Sequence, residues 1–383
     1  MSKDNANMKG RSGTSRTAAG KAGKASGTRG SKGPGTRKLA GAKPAVPGSR
    51  SRQAEREDRE QHAAQRANDE AVLLHLSGDA AAARAGYRQV LRDHPAHVTT
   101  LNNLGFLESQ EGNLEEAERL YRQAIALEPE RAMPHANLGV LHAQRGDWSN
   151  ARDELHLAVG LGSGDATVWS NLARVHMACG ELDEARACWE RALDVQVTPG
   201  RLVQLGVVRL AQGDPEDAVA VLEQAVGMDP ADADAWTQLG IARMGRHDFG
   251  LALDALRRAV LVTPAAHDAR HHIGLVHLAR GERDEARKAW ERLLEADPDH
   301  RCRLDLAVLH LGAADAGRAR DLAAEAGPGP RRDHYLAVAR DMLGEPGSRE
   351  ELERQAAGEG AYAQQTRDYL ARRAALAPLE VGP

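Results

Sequence analysis

Few side chains in this 383-residue sequence are spaced for covalent or metal chemistry. His267 and His271 stand four apart, the interval that puts two imidazoles on one helix face, and His272 follows directly. No third ligand accompanies them, and they open a repeated segment where solvated residues are normal, so no metal site is expected. Cys179, Cys188 and Cys302 form no CxxC pair and leave an odd count, which suits a reducing compartment better than a disulfide framework. Dinucleotide, P-loop, nucleophile-elbow and zincin motifs are all absent. No catalytic residue or cofactor is assigned, and the chain reads as non-enzymatic. What does recur is a carboxamide. Asn103, Asn137 and Asn171, then Gln204 and Gln238, and finally His272 each stand one residue before a Leu or Ile. A carboxamide both donates and accepts, so it can grip a peptide group whatever side chain that group carries.

The elements that would position this ladder are legible in residues 98–131. Leu101, Leu104 and Leu107 mark one face of a helix. Gly112 breaks it, and Asn113 is placed to cap a second helix, with Glu116 in the capping-box position. The second helix carries Ala117, Leu120, Tyr121 and Ala124 and stops before Pro129, because a residue preceding proline is pushed out of the α region. Gly105 and Ala117 are small enough to let the two axes approach, with Leu104 and Tyr121 filling the wedge between them.

The unit returns. Prolines recur at 95, 129, 230, 264 and 298, and turn glycines at 78, 112, 146, 180, 213 and 281. An alanine of the second helix is repeated from Ala83 to Ala286, and four residues beyond each copy stands a Tyr, Leu or Trp, from Tyr87 to Trp290. This pattern resembles the tetratricopeptide (TPR) repeat, a helix hairpin of 34 residues. The resemblance covers residues 64–300 and implies an all-α, right-handed α-solenoid of seven units: 64–97, 98–131, 132–165, 166–198, 199–232, 233–266 and 267–300. A degenerate eighth unit at 301–326 and a C-terminal helical cap at 331–378 would follow, the latter from segments 332–343, 348–357 and 361–376.

In TPR superhelices the first helices line the concave face. The carboxamide ladder is similar to that of the O-GlcNAc transferase superhelix, where an asparagine at this position, repeated up the groove, bonds the backbone of an extended peptide. The resemblance implies a peptide-binding groove along Asn103, Asn137, Asn171, Gln204, Gln238 and His272. Positions three residues on, Phe106, Val140, Arg174, Val207, Ile241 and Leu275, would make it mainly apolar, with Leu210, Met244 and Leu278 a turn further. Met244 adds adaptability. No three successive copies supply the Lys, Asn and Arg set with which some TPR domains hold a C-terminal carboxylate.

Charge divides the chain unevenly. Residues 1–52 carry thirteen Lys or Arg and one acid, Asp4, a balance of +12 that leaves −16 on residues 53–383 against −4 overall. With few large apolar residues and no aromatic, residues 1–55 are expected to form a disordered basic tail. Residues 1–52 are candidates for a salt-sensitive polyanion contact. No apolar run suits a membrane span or secretory signal, so a cytoplasmic location is expected. The leading function is a scaffold or adaptor binding a partner's protein segment. The alternatives are a nucleic-acid-associated protein led by the tail, or a substrate-binding subunit of a glycosyltransferase-type enzyme.

Overall fold

The computed structural model describes residues 48–376, with side chains from 54 to 373. The basic segment up to residue 47, its expected disorder and most of its proposed polyanion contact lie outside the described residues. The chain divides into two units, residues 1–58 and 59–383, and the second holds every contact discussed below.

Nineteen helices and no strand make up the described residues. A long α1 (Gly48–Leu76) is followed by α2 (Ala80–Asp93). α1 starts within the segment expected to be tail, because the run from Gln53 is rich in Glu, Arg, Gln and Ala, all good helix formers. Then come the pairs α3 (Val98–Gln110) with α4 (Leu114–Leu127), α5 (Ala132–Gln144) with α6 (Trp148–Gly160), and α7 (Ala166–Cys179) with α8 (Leu182–Val195). α9 (Pro199–Gln212) pairs with α10 (Pro215–Met228), α11 (Ala233–Gly245) with α12 (Phe249–Val262), and α13 (His267–Ala279) with α14 (Arg283–Ala296). α15 (Cys302–Gly312) and α16 (Ala316–Glu325) form an eighth hairpin, α17 (Pro330–Met342) and α18 (Ser348–Ala356) a ninth, and α19 (Ala361–Leu376) ends the stack. Each hairpin packs on the next, as in a TPR solenoid.

Both boundaries of each hairpin follow from single residues. The residues before Pro95, Pro129, Pro230, Pro264 and Pro298 are extended, with φ between −127° and −139°, so the second helices end there. Within each hairpin the chain reverses through a left-handed residue. The N–H directly after that residue bonds back to a carbonyl five residues earlier, as in Asn113 to Glu108 (2.8 Å) and Asp214 to Arg209 (2.9 Å). Glycine serves at 78, 112, 146, 180, 213, 281 and 344. His247 (φ 62°) and Ala314 (φ 61°) take the same conformation in the two hairpins where the glycine period lapses. The fold keeps the turn even where the residue best suited to it is missing.

A close contact sets the spacing within each hairpin. The alanines Ala83 to Ala286 are fully buried, and the large residues four further on, Tyr87 to Trp290, are at most 3% exposed. Facing those large residues on the first helix is a small residue, Ala71 and Ala173 in two hairpins and in the other five a glycine with no room for a side chain. A Cβ would lie 2.7 Å from Tyr121 at Gly105, 2.6 Å from Leu222 at Gly206 and 2.1 Å from Trp290 at Gly274. The capping box at Asn113 does not form. Its amide donates instead to the buried Glu108 carboxylate (2.7 Å), a charge-assisted bond, while Glu116 holds Arg119.

Two sets of substitutions test this. Gly274→Ala should destabilise by about 1–3 kcal/mol through overpacking, whereas Gly200→Ala, in open space on α9, should stabilise by up to about 1 kcal/mol. His247→Gly and Ala314→Gly should each raise stability by about 1 kcal/mol by relieving left-handed strain. Urea unfolding curves with unchanged slope would show both; a neutral Gly274→Ala would remove the close-contact account.

Candidate peptide-binding groove

The six ladder residues lie on successive first helices, α3, α5, α7, α9, α11 and α13, and all are half-buried. They share a position but not a bonding state. The Asn103 amide donates to Asn68 Oδ1 (3.2 Å) and the Asn137 amide to Asn102 Oδ1 (2.8 Å), each tying its helix to the preceding first helix. Asn68 and Asn102 stand one residue before the ladder register, so they face the next copy's carboxamide. His272 donates Nδ1 to the Asp268 carbonyl of its own helix (2.7 Å). Asn171, Gln204 and Gln238 have no side-chain partner among the described residues, which leaves their full donor and acceptor capacity for a ligand.

The apolar positions fall beside them. Phe106 is 44% exposed, Arg174 is exposed, and Val140, Val207, Leu210, Ile241, Met244 and Leu275 are half-buried. Leu278 is 37% exposed. Asn171, Arg174 and Val140 come together in a cavity of about 200 Å³ between α5 and α7, with Gln144 and Trp148 completing the wall. Trp148 was not a sequence candidate, although it opens a second helix just after a turn glycine and is 41% exposed. A larger cavity of about 520 Å³ lies where α13 and α14 meet α15 and α17, bounded by Leu278, Leu309 and Tyr335 with Arg283 and Arg331.

The histidines are structural. His176 reaches Glu181, His277 reaches Glu282 and His310 reaches Asp315, at 2.6, 2.6 and 3.0 Å, each pair straddling a turn. A histidine four residues before the left-handed turn residue and an acid directly after it is the signal that sequence reasoning passed over. His271 is also buried rather than solvated. Its Nε2 bonds Asp305 (2.9 Å) on the next first helix, its carbonyl accepts from Trp290 Nε1 (3.0 Å), and the His300 ring lies 5.2 Å away. No group of three or more His, Cys, Asp or Glu among the described residues is arranged to hold a metal. Cys188 and Cys302 are free and buried, and burial pushes their thiols up to about 11 and about 12. No described helix is long and apolar enough to cross a membrane.

Stacked two-helix hairpins with a polar ladder on the first helices define a helical repeat solenoid of the protein-interaction kind. TPR family models match residues 107–166, 164–231, 203–269, 237–282 and 271–332, together more than half of the chain. The chain belongs to the tetratricopeptide repeat family and is a protein–protein interaction scaffold; repeats of this family are generally non-catalytic. No curated protein sequence matches the chain. Among solved structures it is similar to the C-terminal part of a TPR repeat-containing protein from Cytophaga hutchinsonii (14% identity, 61% of this chain and 96% of that one, TM-score 0.50). It is also similar to YrrB, described as a TPR protein with an unusual peptide-binding site (23% identity, 50% and 96%, TM-score 0.42). A third is pilF of Pseudomonas aeruginosa (19% identity, 53% and 93%, TM-score 0.46).

The junction between the seventh and eighth hairpins should respond to pH. Burial lowers His272 below the usual imidazole value, opposed by its bond to the Asp268 carbonyl and reinforced by His271. Burial, and then His271, lowers His300. Burial alone would raise Asp305, but hydrogen bonds from His271 and Arg331 outweigh it and hold the carboxyl low. The unfolded chain takes up protons on these histidines near pH 6.5 and the folded chain only at lower pH, so stability is complete above about pH 6.5 and falls below it. Melting temperature measured from pH 7.5 to 5.5 should decrease. His300→Asn, which keeps an acceptor for the Cys302 N–H (3.1 Å), should flatten the slope.

Proposed function

We propose that the face formed by the first helices binds an extended or helical segment of a protein partner, with α7, α9 and α11 as the centre of the site. The carrying observation is that Asn171, Gln204 and Gln238 stand in register, half-buried and without internal partners, beside apolar side chains at Val207, Ile241 and Met244. Carboxamides bond the backbone of the segment, and the apolar positions between them take its side chains. Asn103 and Asn137 serve first to join neighbouring hairpins, each retaining one N–H and its carbonyl for the ligand. Spreading the contact over several hairpins makes affinity a sum of modest terms, which suits a scaffold that releases its partner.

The test uses segments selected on the full chain from a random-peptide display library. Replacing Asn171, Gln204 and Gln238 together by Ala should weaken the selected peptides by about tenfold or more, at roughly 1 kcal/mol per lost hydrogen bond, with helicity and melting temperature unchanged. Replacing Arg257 and Arg258, exposed on the second helix α12, should leave binding as it is. Equal affinity for the triple variant and the parent chain would reject the groove.

A further inference from the structure

A repeat protein carries its own controls, because each hairpin shows what a position needs for packing alone. Two positions on the proposed binding face break that pattern with a cation. Position 174 is Phe, Val, Val, Ile and Leu in the other hairpins (106, 140, 207, 241 and 275) but Arg in α7. Position 283, the first residue of a second helix, is Ala, Leu, Trp, Leu, Pro and Phe at 80, 114, 148, 182, 215 and 249 but Arg in α14. Both side chains are exposed, and neither guanidinium has an ion pair or hydrogen bond among the described residues. Most arginines of the stack instead pair with an acid, as Arg84 does with Glu108 (2.8 Å) and Arg209 with Glu190 (3.0 Å).

Each unpaired arginine borders a cavity. Arg174 stands over the 200 Å³ cavity with Asn171, Gln144 and Trp148. Arg283 borders the 520 Å³ cavity, whose walls are Leu278, Leu309 and Tyr335. Two acids line that cavity, but Asp284 is matched by Arg287 (2.9 Å) and Asp305 by Arg331, so Arg283 is the surplus charge. Arg331 also lies 5.9 Å from the Tyr335 ring, which fixes it at the rim. His310 lines the same cavity. Asp315 holds its Nδ1, while its Nε2 is buried without a partner. Between the two cavities the groove positions of α9 and α11 hold the amides Gln204 and Gln238 and the apolar Val207, Leu210, Ile241 and Met244.

From these placements we infer that the partner segment is acidic at two points, with an apolar stretch between them. One carboxylate side chain pairs with Arg174 in the cavity of α5 and α7, and the other with Arg283 in the cavity of α13 to α17. The inference rests on the groove proposed above and adds the charge pattern of its ligand. Arginine presents a planar fork of donors that matches a carboxylate, and a wall of apolar side chains beside it excludes water and strengthens the pair. The body of the chain is strongly acidic overall, so these two unpaired cations favour an acidic side chain at their own points along the groove.

The experiment pans the random-peptide library on the full chain and compares the tightest selected peptide on the parent, Arg174→Gln, Arg283→Gln and the double variant. Selected peptides should be enriched in Asp and Glu on both sides of an apolar run. The double variant should bind the tightest peptide about tenfold or more weakly, and the acid-to-amide form of that peptide should lose as much on the parent chain but little more on the double variant. The Arg174→Lys, Arg283→Lys pair keeps the charge and should retain most of the affinity. Peptides without acidic enrichment, or unaffected by the double variant yet weakened by the Asn171, Gln204 and Gln238 triple, would overturn this inference and leave the groove standing. Peptides indifferent to every one of these substitutions would remove the groove and the inference together.

Discussion

The structure depends on one repeated contact: a glycine or alanine on each first helix set against a Tyr, Leu or Trp of the second. Where the small residue is Gly105, Gly139, Gly206, Gly240 or Gly274, a single added methyl would fall 2.1–2.7 Å from the opposing side chain. The contact fixes the angle of each hairpin, and a constant angle lets one hairpin stack on the next in the same register. The ladder is a consequence. Residues two positions from the glycines, Asn103, Asn137, Gln204 and Gln238 among them, share one face because the glycines share one geometry.

Polar groups join this apolar packing. The chain is poor in aromatics, and its core is mostly Ala, Leu and Val. Between the seventh and eighth hairpins the apolar cluster of Trp290, Leu293, Cys302 and Leu306 is joined by His271, Asp305 and Arg331, with the His300 ring edge-on to His271. Buried polar groups of this kind add little net stability but demand a particular geometry. The eighth hairpin accordingly departs from the others, with a shorter first helix, an alanine in its left-handed turn and the large cavity against α17. The same junction therefore holds His272 and His300, both lowered by burial, beside the 520 Å³ cavity.

A division of labour follows along the first helices. At α3 and α5 the carboxamides brace neighbouring hairpins, and at α7, α9 and α11 they are left uncommitted. The difference traces to one preceding residue. Asn68 and Asn102 offer an acceptor to the next hairpin, whereas the same register before Asn171 and Gln238 holds Ala136 and Val203, and before Gln204 it holds Ser170, which is taken up by the Ala166 carbonyl and Arg201 instead. The uncommitted carboxamides therefore fall in the middle of the solenoid even though the motif looks uniform from end to end.

The sequence by itself determined the helices, their turns and their order. Those are local properties: proline excludes the α region for the residue before it, glycine accepts the left-handed turn, and a period near 34 keeps each hairpin like the last. Even the short helices after residue 330 were legible, because Gly and Pro punctuate them. Only the tertiary structure decided which amides are free, which histidines are buried and which arginines lack a partner. Each of those outcomes depends on residues about one repeat away in sequence but adjacent in space, as with Asn137 and Asn102 or His271 and Asp305. A one-residue offset between two copies is invisible in a motif and decisive in a hydrogen bond, because the bond is satisfied only when donor and acceptor come within about 3 Å.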